Sequence, residues 1–175
     1  MWKVIFSVCI LCYSVMVSGS VAASHPKSGV GSVPPVVGWV EKIQLADGKS
    51  PLKAKLDTGA KTSSINAKII KIFKKDHDEK DWVIYRISID SKTDETFESR
   101  VTRWVRIKTK TGKYIRRPVI TMRFCLGAIT MEGEVNLANR SHFIYPVLIG
   151  RNMIQDNVVI DVSKTFTTIP KCKVK

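Results

Sequence analysis

The chain has 175 residues, 44% of them hydrophobic and 25% charged. That suits one ordinary soluble domain with a real core and excludes a collagen-like, coiled-coil or disordered chain. Lys and Arg number 29 against 15 Asp and Glu, a formal net charge of +14, and such a field favours acidic partners.

The first 23 residues read as an address. Lys3 supplies one positive charge, Val4 to Val17 is apolar apart from Ser7, Cys9, Cys12 and Ser14, and Ser18-Gly19-Ser20-Val21-Ala22-Ala23 is a run of small residues. This is the three-part pattern of a secretory signal peptide cleaved after Ala23. It predicts an exported protein, periplasmic or secreted, with no integral membrane segment once the signal is removed. Removal leaves 152 residues, a charge of +13 and two cysteines, Cys125 and Cys172. In an oxidising compartment the two could form one disulfide, but the sequence does not say whether they meet.

Residues 24–35 are rich in Ser, Gly and Pro and read as a flexible lead-in. One domain is predicted over residues 36–170, with residues 171–175 as a C-terminal tail. Strands are predicted at Val36 to Leu45, at Pro51 to Leu56 after the turn Ala46-Asp47-Gly48-Lys49, and at Trp82 to Asp90. Ala67 to Phe73 reads as a short helix or a strand. Phe97 to Thr109 and Lys113 to Phe124 read as two long strands around Lys110-Thr111-Gly112. Ala128 to Leu137 and Tyr145 to Ile149 follow, then a helical turn at Arg151 to Asp156. Val158 to Val162 and Thr165 to Ile169 close the chain. Nine or ten short strands with at most one or two short helices predict an all-β barrel or sandwich.

The informative segment is Leu56-Asp57-Thr58-Gly59-Ala60, continued by Lys61-Thr62-Ser63-Ser64-Ile65. An Asp directly after a strand, followed by a small hydroxyl residue and Gly, makes a loop that holds one carboxylate rigidly at the end of a sheet. The Gly allows a backbone conformation closed to other residues, and the amides that follow can point at the carboxylate. A second segment, Pro146-Val147-Leu148-Ile149-Gly150-Arg151-Asn152, runs from apolar residues into a Gly that stands 93 positions after Asp57.

This pair of motifs, in this order, resembles the retropepsins, the single-domain aspartic proteases typified by the retroviral enzymes. Leu56 to Ala60 and Val147 to Asn152 match position by position. A closer resemblance spans Val36 to Thr168, to a bacterial family of small retropepsin-like proteins often labelled ATP-dependent zinc proteases. It is carried by Val37-Gly38-Trp39-Val40-Glu41, Leu56 to Ile65, Trp82-Val83, Arg116-Arg117-Pro118-Val119-Ile120, Asn139-Arg140 and Tyr145 to Arg151. The resemblance implies a closed or partly open acid-protease-like β-barrel. It implies Asp57 as the catalytic carboxylate, with Thr58, Gly59, Ala60, Leu148, Ile149, Gly150 and Arg151 supporting the loop. Members of the family are often found near glutamate-ligase-type enzymes, which implies peptide or glutamate-chain substrates.

The chemistry so implied needs two adjacent carboxylates sharing one proton. The chain has one D-T-G, so the expectation is an aspartic-type endopeptidase active as a symmetric homodimer with Asp57 from each copy. The alternative is a non-catalytic binding module on the same fold, recognising acidic peptides or other anionic ligands. Arg116, Arg117 and Arg140 match family positions and are candidate contacts for an acidic substrate group. Arg151 can pair with a carboxylate, for which Asp161 is a candidate. A hairpin between residues 82 and 124, with its turn at Lys110-Thr111-Gly112-Lys113, is the candidate flap.

Neither half of the family label is supported by these residues. There is no H-E-x-x-H, His25, His77 and His142 are scattered, and Cys125 and Cys172 are no C-x-x-C clamp, so no metal site is expected. Gly48-Lys49-Ser50 ends like a phosphate-binding loop, but Ile43 stands where its first Gly is required, and no cofactor is expected. Lys68, Lys71, Lys74 and Lys75 fall at helical spacing and would line one face, either solvated or turned to an anionic surface. No nucleic-acid signature appears, so no nucleic-acid partner is expected.

Overall fold

A computed structural model describes residues 33–46, 48, 50–90, 93–109 and 111–172. The signal-peptide expectation and most of the lead-in lie outside the described residues, as do Asp47 and Lys49 of the first turn, Lys110, and residues 173–175.

The protein is almost entirely β. In chain order the elements are β1 (Val36–Leu45), β2 (Pro51–Leu56), β3 (Ser63–Asn66), β4 (Lys68–Lys74), β5 (Asp81–Ser88), β6 (Asp94–Arg100), β7 (Arg103–Lys108), β8 (Tyr114–Leu126), β9 (Ile129–Ala138), β10 (Val147–Ile149), α1 (Arg151–Ile154) and β11 (Val159–Thr165). Eight strands form one sheet in the order β11-β1-β2-β10-β3-β9-β8-β7. β1 pairs again with β8, Ile43 opposite Leu126 and Leu45 opposite Phe124, and this bends the sheet into a partly closed barrel. β4, β5 and β6 make a second, three-stranded sheet.

Alternation explains the inward faces. In β5 Val83, Tyr85 and Ile87 are buried while Arg86 and Ser88 are exposed. Ile43, Leu52, Ile65, Ile120, Phe124, Leu137 and Ile149 join them in one core shared by both sheets. Each such side chain contributes about 1.5–3 kcal/mol on burial.

Several expectations are corrected. Of the two alternatives for Ala67 to Phe73 the strand forms, as β4 from Lys68 to Lys74, and only the helical lysine face is lost; β4 lies at the edge of its sheet with a bulge between Ile69 and Lys71. The long strand predicted from Phe97 to Thr109 is two. Buried Val101 donates its N–H to Asp81 O and Thr102 donates to Val119 O, so the chain leaves one sheet and enters the other at that point. β3 was not anticipated, because Ser63-Ser64-Ile65-Asn66 is short and mostly polar. Val158 to Val162 and Thr165 to Ile169 are one strand, β11, followed by a strap without strand pairing.

That strap is held from two sides. The Glu41 carboxylate, completely buried, accepts hydrogen bonds from Gly38, Thr167 and Thr168. A disulfide joins Cys125 to Cys172, the pairing that the sequence leaves open, and Lys171 N–H donates to Gly127 O. Closing a loop of 47 residues in this way constrains the unfolded chain by about 4 kcal/mol on the loop-entropy estimate.

Candidate active site

The sheet order places the Asp57 loop. β2 and β3 are consecutive in the chain but not neighbours, because β10 lies between them, parallel to β2 and antiparallel to β3. Residues 57–62 must therefore arch over the end of β10, and that end is Gly150. A Cβ on Gly150 would lie 2.8 Å from the Thr62 carbonyl carbon and 3.0 Å from Ala60 O, so a side chain there would push the arch off its seat.

Main-chain and side-chain bonds fix the arch. Asp57 N–H donates to Ile149 O at 2.8 Å, Arg151 N–H to Ala60 O at 2.9 Å, and Asn152 N–H to Lys61 O at 3.2 Å. The Arg151 guanidinium donates to Thr58 O at 2.6 Å. This corrects the expected Arg151–Asp161 pair, since Asp161 is instead engaged by Lys164 at 2.9 Å. Beneath the arch, buried Ser63 accepts from Gly150 N–H and donates from both its amide and its hydroxyl to Asn152 Oδ1. Asn152 donates onward to Glu134 O, and Asn136 donates to Ser63 O.

The Asp57 carboxylate projects from this frame, its side chain 25% exposed. Oδ1 accepts Gly59 N–H at 3.0 Å. Gly59 takes no positive φ, contrary to the expectation from sequence; a Cβ there would come within 3.2 Å of Asp57 Oδ1, so what Gly59 supplies is room. Oδ2 lies 3.4 Å from Lys55 Nζ. Thr58 and Gly59 are exposed on the outer surface of the loop.

Around the carboxylate opens a cleft of about 390 Å³, lined in part by Trp39, Lys55, Asp57, Arg140, Phe143 and Tyr145. Trp39 and Tyr145 meet edge to face at 6.0 Å. Arg140 lies over the Phe143 ring at 4.5 Å and is held by Nε–H to Tyr145 O at 3.4 Å. Burial and the nearby Arg117 guanidinium lower the Arg140 pKa, with the Asp57 carboxylate opposing them. One carboxylate, two cations and three aromatic rings therefore converge on one site.

Of the residues singled out in the sequence, Thr58, Gly59, Ala60, Leu148, Ile149, Gly150 and Arg151 are gathered around Asp57, Leu148 lying opposite Lys55 and Ile149 opposite Leu56. Arg140 lies in the cleft, Arg117 lines the adjoining one, and Arg116 is turned over Trp104 at 4.7 Å. Sequence reasoning missed Lys55, Ser63, Asn136 and Asn152. Lys55 left a usable signal, because residues two apart on a strand share a face; the other three are joined only by the fold. Among the described residues no group of three His, Cys, Asp or Glu side chains comes together.

Residues 36–171 match the family described as RimB-like, retropepsin-like aspartic endopeptidase RimB. Two Shewanella proteins, from S. pealeana and S. halifaxensis, each named a probable alpha-L-glutamate ligase, are 34% identical over 122 residues, 68% of this chain. A protein of the same name from Desulfotalea psychrophila is 34% identical over 113 residues, 63% of this chain. The chain spans about a quarter of the length of these curated relatives (26% and 24%). A solved structure of a Legionella pneumophila protein of unknown function (DUF785) superposes with a TM-score of 0.67 at 36% identity, covering 78% of this chain and all of that one.

Proposed function

Because the chain belongs to the RimB-like family of retropepsin-like aspartic endopeptidases, we propose that it hydrolyses acidic peptides, glutamate-rich chains above all, with Asp57 as the catalytic carboxylate. The observation that carries this reading is the rigid, partly exposed Asp57 in a cleft that also holds Lys55 and Arg140. Two cations at the reacting carboxylate suit a substrate that brings its own negative charge. The relatives named for ligating glutamate support the same substrate class.

One chain supplies one such acid, so the second comes from another copy, across the exposed Thr58-Gly59 surface. The two carboxylates then share a proton. The ionised one takes a proton from water as that water attacks the scissile carbonyl; the protonated one donates its hydrogen bond to the carbonyl oxygen. Arg140 and Lys55 bind flanking carboxylates of the substrate. In the resting chain Lys55 pairs with Asp57, and pairing of the two acids requires it to swing to substrate. Export through residues 1–23 belongs to the same proposal, and the Cys125–Cys172 bridge supports an oxidising compartment.

One observation favours a second reading, a non-catalytic module for acidic ligands. The Lys55–Asp57 ion pair neutralises, in a single chain, the carboxylate that the reaction needs. Cleavage of an oligoglutamate peptide and of its glutamine counterpart, followed by mass spectrometry over a hundredfold range of protein concentration, separates the two. The expected result is cleavage of the glutamate peptide with a rate per chain that rises with protein concentration, as a reversible dimer requires. Binding of the peptide without cleavage, in a protein that stays monomeric at the highest concentration, would replace the enzyme with the module.

A further inference from the structure

A second cleft, about 550 Å³, opens on the far side of the wall that carries Arg140. Lys68 at the start of β4, Arg86 on β5, and Arg116 and Arg117 on β8 converge on it, and no carboxylate lines it. Arg86 shares a long contact of 3.7 Å with Asp94, and Arg116 rests on Trp104. Lys68 and Arg117 have no ion pair among the described residues. Arg117 is partly buried, and burial lowers its pKa. Arg86 and Arg116 are exposed, so the cost falls on Arg117: a partly desolvated guanidinium among other cations and without an ion pair is unfavourable, and an anion relieves that cost.

The floor is apolar, formed by buried Ala67, Leu137 and Ala138. Cations at the rim over an apolar floor fit side chains that carry a carboxylate on a short aliphatic stem. The two clefts share a wall: Arg140 lines the first, its neighbours Asn139 and Ser141 line the second, and Asn66 of the second accepts Arg140 N–H at 2.7 Å.

We propose that the second cleft anchors the acidic flank of the substrate chain, a run of carboxylate side chains continuing past the Asn66–Arg140 wall from the bond held at Asp57. This rests on the reading of Asp57 as a peptidase of acidic chains and adds that length is recognised as well as charge. A chain too short to cross the wall occupies only the first cleft, whereas a longer one engages Lys68, Arg86, Arg116 and Arg117 too.

The test measures binding without turnover. Fluorescent oligoglutamates of four and of twelve residues are titrated onto the Asp57→Asn protein and onto Asp57→Asn/Lys68→Ser/Arg86→Ser. A control, Asp57→Asn/Lys80→Ser/Lys171→Ser, removes the same charge at residues that line neither cleft, and melting curves check that each variant folds. The longer chain is expected to bind tighter, and the cleft variant to lose about tenfold on it, with the shorter chain changed by less than about twofold. An equal loss on both lengths, or an equal loss in the control, would mean a general field and overturn the anchor. Equal binding of a twelve-residue oligothymidylate, with the same dependence on Lys68 and Arg86, would overturn it in favour of a phosphate-backbone site. The wild-type protein is assayed for cleavage alongside. Cleavage with no effect of the cleft variant on binding sinks the anchor and spares the peptidase; length-dependent binding without cleavage does the reverse.

Discussion

Asp57→Asn is expected to lower peptide cleavage by about 10³-fold or more, the scale of a general acid–base contribution, while leaving the fold in place. The amide keeps the shape of the carboxylate, and its oxygen still accepts Gly59 N–H. The bonds that seat the arch, from Asp57 N–H to Ile149 O and from Arg151 N–H to Ala60 O, belong to the main chain and are untouched. In the proposed mechanism, what disappears is the group that takes the proton from water and the group that shares it, and in the proposed symmetric dimer one substitution removes both. Mixing wild-type and Asp57→Asn chains sharpens the test. If each active pair needs an acid from both copies, excess variant suppresses wild-type activity by capturing it in mixed dimers. Full activity in the Asp57→Asn protein, or no suppression on mixing, would reject the paired-acid mechanism.

Replacing Glu41 is expected to have the largest effect on stability. Its carboxylate is buried and accepts from Gly38 N–H at 2.7 Å, Thr167 N–H at 2.9 Å, Thr168 N–H at 3.1 Å and both threonine hydroxyls. Glu41→Ala strands these donors beside a void and should cost about 3–5 kcal/mol, with a fall in Tm on the order of 10 °C. Glu41→Gln keeps one acceptor oxygen but turns an NH₂ toward donors, so a smaller loss of about 2 kcal/mol is expected. Burial of Glu41 pushes its pKa up, but the donors from Thr167, Gly38 and Thr168 outweigh it, and the net direction is below the ordinary 4.5. A depressed acid stabilises the fold above its unfolded value and loses that contribution as pH falls through the folded one. The stability gap between wild type and Glu41→Gln should therefore be full at neutral pH and narrow progressively below about pH 4.5. Denaturant titrations of both proteins across that range check it; a gap independent of pH would mean that Glu41 is not held ionised.

The contrast between Asp57 and Glu41 shows what was legible. Asp57 announces itself through a local motif, and the strands around it through alternation, because both signals lie within a few residues of chain. β1 and β2 begin and end where the sequence places them. Glu41 sits in a segment quoted only as part of a resemblance, and its threonine partners lie 126 and 127 positions away. No periodicity carries that pairing. Ser63 and Asn152 fail for the same reason, being 89 positions apart and joined only because β10 inserts between β2 and β3. The break at Val101 was hidden because residues on either side favour strand; what changes there is the sheet they belong to. The basic residues could be counted in the sequence, but their division between two clefts could not.

The bridge between Cys125 and Cys172 makes everything from β9 to the strap a covalent ring. The loop that carries Arg140 lies on this ring, and its residues Ser141, His142, Phe143 and Ile144 are exposed, the place where a folded chain is most readily nicked. A cut beside Phe143 opens the ring without releasing either piece. The clipped molecule would run as one band on a gel without reductant and as two after thiol treatment. With β10 still seated between β2 and β3, both ends of the cut are expected to stay at the rim of the Asp57 cleft, and the trimmed protein to remain assembled.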